Sequence, residues 1–179
     1  MKYVIVGIVV LILVIIISII SMINKINRTL VKIDEADSGI DVALAKRYDV
    51  LTKMIEVVKA YSKYEKETIF EVINLRNKMN IQEKIIVNNK MNENFNRINA
   101  ISENYPELKA SENYKILQQS VLDVEEHLQA ARRLYNSNVS LYNQLIVSIP
   151  TCIIAKVKKL QKKDFFEADE EANESIRIK

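Results

Sequence analysis

The sequence has no tryptophan, one cysteine, one histidine, two glycines and two prolines in 179 residues. So little glycine and proline excludes folds that turn often, such as β-sandwiches and barrels, because tight turns need these residues for their backbone angles. A chain of a few long helices remains. One cysteine excludes an intrachain disulfide framework and a cysteine-rich zinc site, and one histidine excludes a histidine-based metal cluster. Neither sign of charge dominates: 26 lysines and arginines against 23 aspartates and glutamates leave a net charge of +3, too little to indicate nucleic acid. No glycine-rich phosphate loop occurs.

What is present begins with grease. From Tyr3 to Ile23 there is no charged residue. At about 1.5 Å per residue this stretch reaches about 31 Å, the thickness of a bilayer's hydrocarbon core. Its length, and the poor cleavage site at Ser21-Met22-Ile23-Asn24, favour a retained anchor over a cleaved signal peptide. Only Lys2 precedes the span, whereas Lys25, Arg28 and Lys32 follow it closely. The positive-inside rule then puts the rest of the chain in the cytoplasm.

Beyond residue 24 apolar residues recur every three or four positions. One stripe runs Leu30, Ile33, Asp37, Ile40, Leu44, Arg47, Leu51, and a second continues through Met54, Val58, Tyr61, Glu65, Thr68, Val72, Leu75 and Met79, widened by Ile55 and Ile69. A third comprises Val87, Met91, Asn94, Ile98, Ile101 and Tyr105. The fourth runs Tyr114, Leu117, Val121, Val124, Leu128, Ala131, Tyr135, Asn138, Tyr142, Leu145, Ile149. Each stripe must bury its face on another helix. Short links favour antiparallel neighbours, so the pattern predicts an all-α fold: a transmembrane helix, then an up-and-down antiparallel four-helix bundle. Asn80–Lys84 reads as one link. Tyr105-Pro106 begins another, with Ser111 and Glu112 placed to cap and charge the fourth helix. A bend is expected near Tyr48–Lys53, although no glycine or proline marks it; without it the first two helices merge into one rod. The expected divisions are an anchor at 1–23, a bundle at 24–150, a basic amphipathic segment at 151–166 and an acidic, disordered tail at 167–179.

These residues resemble the LemA family of bacterial membrane-anchored helical proteins. The matching strings are Asp34-Glu35-Ala36, Ser38-Gly39-Ile40-Asp41-Val42, Lys46-Arg47-Tyr48-Asp49, Glu56-Val57-Val58-Lys59 with Tyr61, and Glu65-Lys66-Glu67-Thr68. Tyr105-Pro106-Glu107-Leu108-Lys109-Ala110, Glu125, Ala131-Arg132-Arg133, Tyr135-Asn136, Tyr142-Asn143, Ile149-Pro150 and Phe165-Phe166-Glu167 follow in the family's order. Asp37 stands where the family usually has tryptophan, and Thr52 where it usually has a proline opening the second helix. The resemblance implies a four-helix bundle behind one membrane span, in the bacterial inner membrane, and no reaction. Some relatives are tied to organising internal membranes, a hint by analogy only.

Candidate chemistry is thin. A di-iron bundle needs Glu-x-x-His pairs, and the position three before His127 is Val124. Cys152 has no histidine nearby in sequence, so a small, half-buried residue is the expected reading. No catalytic, cofactor or metal residue is assigned. Glu125 and Arg132 are seven apart on one face, and with Arg47 they suggest an ion-pair network between helices. The candidates for interaction are Ser38, Gly39, Asp41, Arg47, Glu125 and Arg132. Lys156, Lys158, Lys159, Lys162 and Lys163 form either a solvated face or, if the bundle returns the chain to the bilayer, a patch on anionic headgroups. The sequence thus predicts a scaffold, with the bilayer and unidentified proteins as partners and no nucleic acid or cofactor. An enzyme or ligand-sensing module built on an inward carboxylate/arginine cluster of Asp34, Asp41, Arg47 and Arg132 is the alternative.

Overall fold

A computed structural model describes residues 1–61, 73, 75 and 79–167. Five helices follow one another: α1 (Lys2–Tyr61), α2 (Ile81–Asn104), α3 (Pro106–Ala110), α4 (Glu112–Val147) and α5 (Thr151–Val157), with no strand among the described residues. The all-α expectation holds.

The first helix is 60 residues long and unbroken. Its apolar start, long and apolar enough to cross a membrane, is helical despite many β-branched residues; a backbone in lipid has only itself to hydrogen-bond with. The bend expected near Tyr48–Lys53 is absent, and the first two expected helices are one rod as far as Tyr61. Thr52 supplies the reason. A proline there would remove an amide donor and clash with the preceding turn. Threonine keeps the donor, and its hydroxyl bonds the Tyr48 carbonyl at 2.9 Å. Of the second stripe, Glu65, Thr68, Ile69 and Val72 lie outside the described residues, as does the acidic tail from Ala168 onward.

Three long helices therefore make the described bundle. Lys32 of α1 meets Asn138 of α4 while Arg47 meets Glu125, so α4 runs antiparallel to α1. Asp37 and Asp41 meet Lys84, while Arg47 meets Asn88 and Asn92, so α2 runs parallel to α1. Near the membrane, Ile26, Ile33, Ile40 and Leu44 of α1 pack with Leu128, Tyr135, Val139 and Tyr142 of α4. Farther out, Leu51, Met54 and Val58 pack with Met91, Phe95 and Ile98 of α2, and with Leu108 and Tyr114.

Helix ends follow local chemistry. Asn80–Lys84 is not a link. Asn80 caps α2 in a capping box with Glu83, its Oδ1 accepting from the Glu83 amide at 2.9 Å and the Glu83 carboxylate accepting in return at 2.8 Å. Lys84 is buried one turn in. Pro106 opens the short α3, and Ser111 caps α4 by accepting from the Tyr114 amide, with Glu112 in the first turn. The end of α4 departs from the stripe: Ile149 lies beyond the last helical residue and is 87% exposed, while Val139 and Ile146 take core places the stripe did not assign. After Pro150 the chain turns by 90° into α5.

Candidate functional site

Two buried cations knot the three helices together. The Lys84 ammonium is enclosed and reaches the carboxylates of Asp37 and Asp41, both at 2.7 Å, and the Asp37 carbonyl at 3.4 Å. An ammonium has three protons to place, and three acceptors surround it. Asp37, where the resemblance leads one to expect tryptophan, thus serves a lysine. Only the lysine is taken out of water, and the attraction of two water-exposed carboxylates offsets the cost of enclosing its charge.

Arg47 sits one level farther from the membrane. Its guanidinium pairs with Glu125 of α4 at 2.9 Å and donates to the side chains of Asn88 and Asn92 of α2. The ring of Phe95 lies under it, 5.2 Å away. Burial is the chief influence on this guanidinium and lowers its pKa from the ordinary value; the Glu125 charge opposes that and the Arg132 charge adds to it. It still carries its proton at neutral pH. The Arg47–Glu125 pair joins the helices that the sequence proposed to link.

Arg132 does something else: its guanidinium stacks on the Phe166 ring at 4.6 Å. Phe166 is buried in the membrane-side core, near the end of a strap without regular secondary structure, residues 160–167, that runs back along α4. Two asparagines hold the strap. The Asn143 side chain donates to the Lys163 carbonyl and accepts from its amide, both at 2.9 Å. The Asn136 side chain does the same for Phe166, at 2.9 and 2.8 Å. Each amide imitates a neighbouring β-strand, and their spacing of one heptad puts both on the same face of α4. The Tyr135 hydroxyl adds a bond to the Asp164 carbonyl at 3.2 Å. Burial first, and then the charges of Asp37, Asp164 and Asp34, push this phenol up to about 12. The Tyr-Asn pairs are visible in the sequence, but their partner is a segment without secondary structure, so nothing in the helical pattern points to the clamp.

The other candidates fall into separate places. Ser38 and Gly39 are exposed on α1, and nothing lies within 4 Å of where a Gly39 side chain would begin. No packed neighbour explains that glycine. Asp34 lines a groove of about 350 Å³ with Asp37, Tyr135, Lys162 and Lys163; Asp41, Arg47 and Arg132 do not line it. The four residues of the carboxylate/arginine alternative do not share this groove. His127 is exposed, Cys152 is partly buried, and no group of metal-ligating side chains stands together among the described residues.

At the membrane end, α5 crosses the end of the bundle. Thr151 and Ala155 face the core, while Pro150, Ile153 and Ile154 form a groove with Val14, Ile15, Ser18, Ile19 and Met22 of the apolar part of α1. Ile149, Ile153 and Val157 are strongly exposed, as are Lys156, Lys158, Lys159 and Lys162; Lys163 is half-buried.

Comparison with known proteins gives these features a context. Residues 36–179 match the LemA family. Protein LemA of Metamycoplasma hominis is 28% identical over 144 residues, which cover 78% of this chain and 66% of that protein. Magnetosome protein MamQ of Magnetospirillum gryphiswaldense is 27% identical over 70 residues, covering 39% of this chain and 26% of that protein. The chain thus spans less than two thirds of either relative's length.

Proposed function

Because the chain belongs to the LemA family, we propose that it is a membrane-anchored scaffold at the bacterial inner membrane, holding a helical face at a fixed height above the bilayer for protein partners. One observation carries this: α1 passes from the apolar span into the bundle core without a break. From Ile23 to Tyr61 the rod rises about 57 Å. A tether of this kind transmits position, where a flexible linker would not.

The face offered to a partner is on α1, where Val31, Ser38, Gly39 and Val42 are exposed in a row at helical spacing. A glycine at an exposed helical position costs stability without local return, which fits a surface kept low for another helix. Photocrosslinking residues placed at Ser38 and Val42 in cells are expected to capture the same partner, and Gly39→Leu to abolish that capture. Capture equal to that from exposed Asp123 on α4 would refute the reading. The cations after the span support a cytoplasmic bundle; a C-terminal phosphatase fusion, active only outside the cytoplasm, should be inactive.

A further inference from the structure

The two faces of α1 at the bundle-side end of the span differ. On one, α5 closes an apolar groove. On the other lies a cleft of about 590 Å³, walled by Leu141 of α4 and floored by α1 from Ile17 to Lys32. Along that floor the chemistry changes in order: Ile17 and Ile20 first, then Ser21 and Asn24, then Lys25, Arg28 and Lys32. No acidic residue lines the cleft, and no carboxylate among the described residues pairs with these three cations.

This order is that of a phospholipid standing in the same leaflet: acyl chain, ester region, phosphate. Lys25 lies about 3 Å and Arg28 about 7.5 Å above Ile23 along the axis, within the headgroup layer, and the flexible Lys32 side chain reaches down from about 13.5 Å. The cations are on one helix face, at spacings of three and four. We propose that this cleft binds the headgroup of one anionic phospholipid, with Lys25 and Arg28 on the phosphate, Lys32 over the headgroup, and an acyl chain along Ile17 and Ile20. The site rests on the rod's passage into the membrane and not on the scaffold reading.

The test uses the full chain, purified from nanodiscs holding equal phosphatidylglycerol and phosphatidylcholine, with retained lipid counted by native mass spectrometry. Wild type is expected to keep one phosphatidylglycerol per chain, at least ten times more often than phosphatidylcholine. The Lys25→Gln, Arg28→Gln, Lys32→Gln variant should lose that preference about tenfold. A Lys25→Arg, Arg28→Lys, Lys32→Arg variant should keep it, as should Lys158→Gln, Lys159→Gln at the end of α5. Circular dichroism confirms that each variant is folded. Equal retention of both lipids by wild type, undiminished preference in the glutamine variant, or equal loss from the α5 variant would overturn the proposal. The readout is taken on purified protein, so it is independent of the orientation in which a variant first inserted.

Discussion

The two halves of α1 belong to one helix and obey opposite rules. Below Asn24 nearly every side chain is apolar and points outward, and none is buried. Above it, only one stripe is buried, and that stripe contains Arg47 beside Ile33, Ile40, Leu44 and Leu51, with the half-buried Asp37 along it. The backbone is the same in both; what differs is the solvent each half requires. The lower half has no partner for a charge and contains none between Tyr3 and Ile23. The upper half admits charges toward its core because Lys84, Glu125 and two asparagines meet them there.

The sharpest way to break this contrast is to strand a buried charge. Asp37→Asn with Asp41→Asn leaves the Lys84 ammonium enclosed without a carboxylate and is expected to destabilise the bundle by about 3–5 kcal/mol in urea titrations. Lys84→Met should cost under about 1 kcal/mol, because both aspartates keep access to water. Equal losses in the two variants would mean that packing, not charge, governs this knot.

A charge placed in either half gives the next largest difference. Ile12→Lys should weaken membrane insertion by about 3 kcal/mol, read as the fraction of chains integrated. Val42→Lys, on an exposed position of the same helix, should stay within about 0.5 kcal/mol of wild type. Comparable effects would erase the distinction between the halves.

Smaller effects refine the upper half. Asn136→Ala and Asn143→Ala each remove two strap bonds and should each cost about 1–2 kcal/mol, with faster hydrogen exchange at the Phe166 and Lys163 amides respectively. Gly39→Ala should add about 0.5–1 kcal/mol to the melting stability of the purified full chain, since nothing obstructs the new methyl.

Much of this is readable from residues alone. The span is announced by its length without charge, the helices by their periodicity, and the start of α4 by Ser111 and Glu112. Arg47 in an apolar stripe signals a buried partner, and Glu125 supplies it. Lys84 reads as part of a link because a lone lysine near Asn80 looks solvated until two aspartates from another helix are brought to it. The break near Tyr48–Lys53 is expected only from the count of helices, whereas the local residues, Thr52 among them, favour continuation. At the end of α4 the period and the backbone part company: Ile149 fits the stripe, but the helix has already stopped at Val147. The strap's clamps lie in tertiary contacts that no periodicity encodes.

The most direct test places spin labels at Ile20 and Glu56 of the full chain in lipid nanodiscs, with Cys152 replaced by serine, and measures their separation by double electron–electron resonance. An unbroken α1 predicts a narrow distribution centred near about 54 Å. A broad distribution, or one centred well below that distance, would place a hinge between bilayer and bundle and contradict the rigid-rod account.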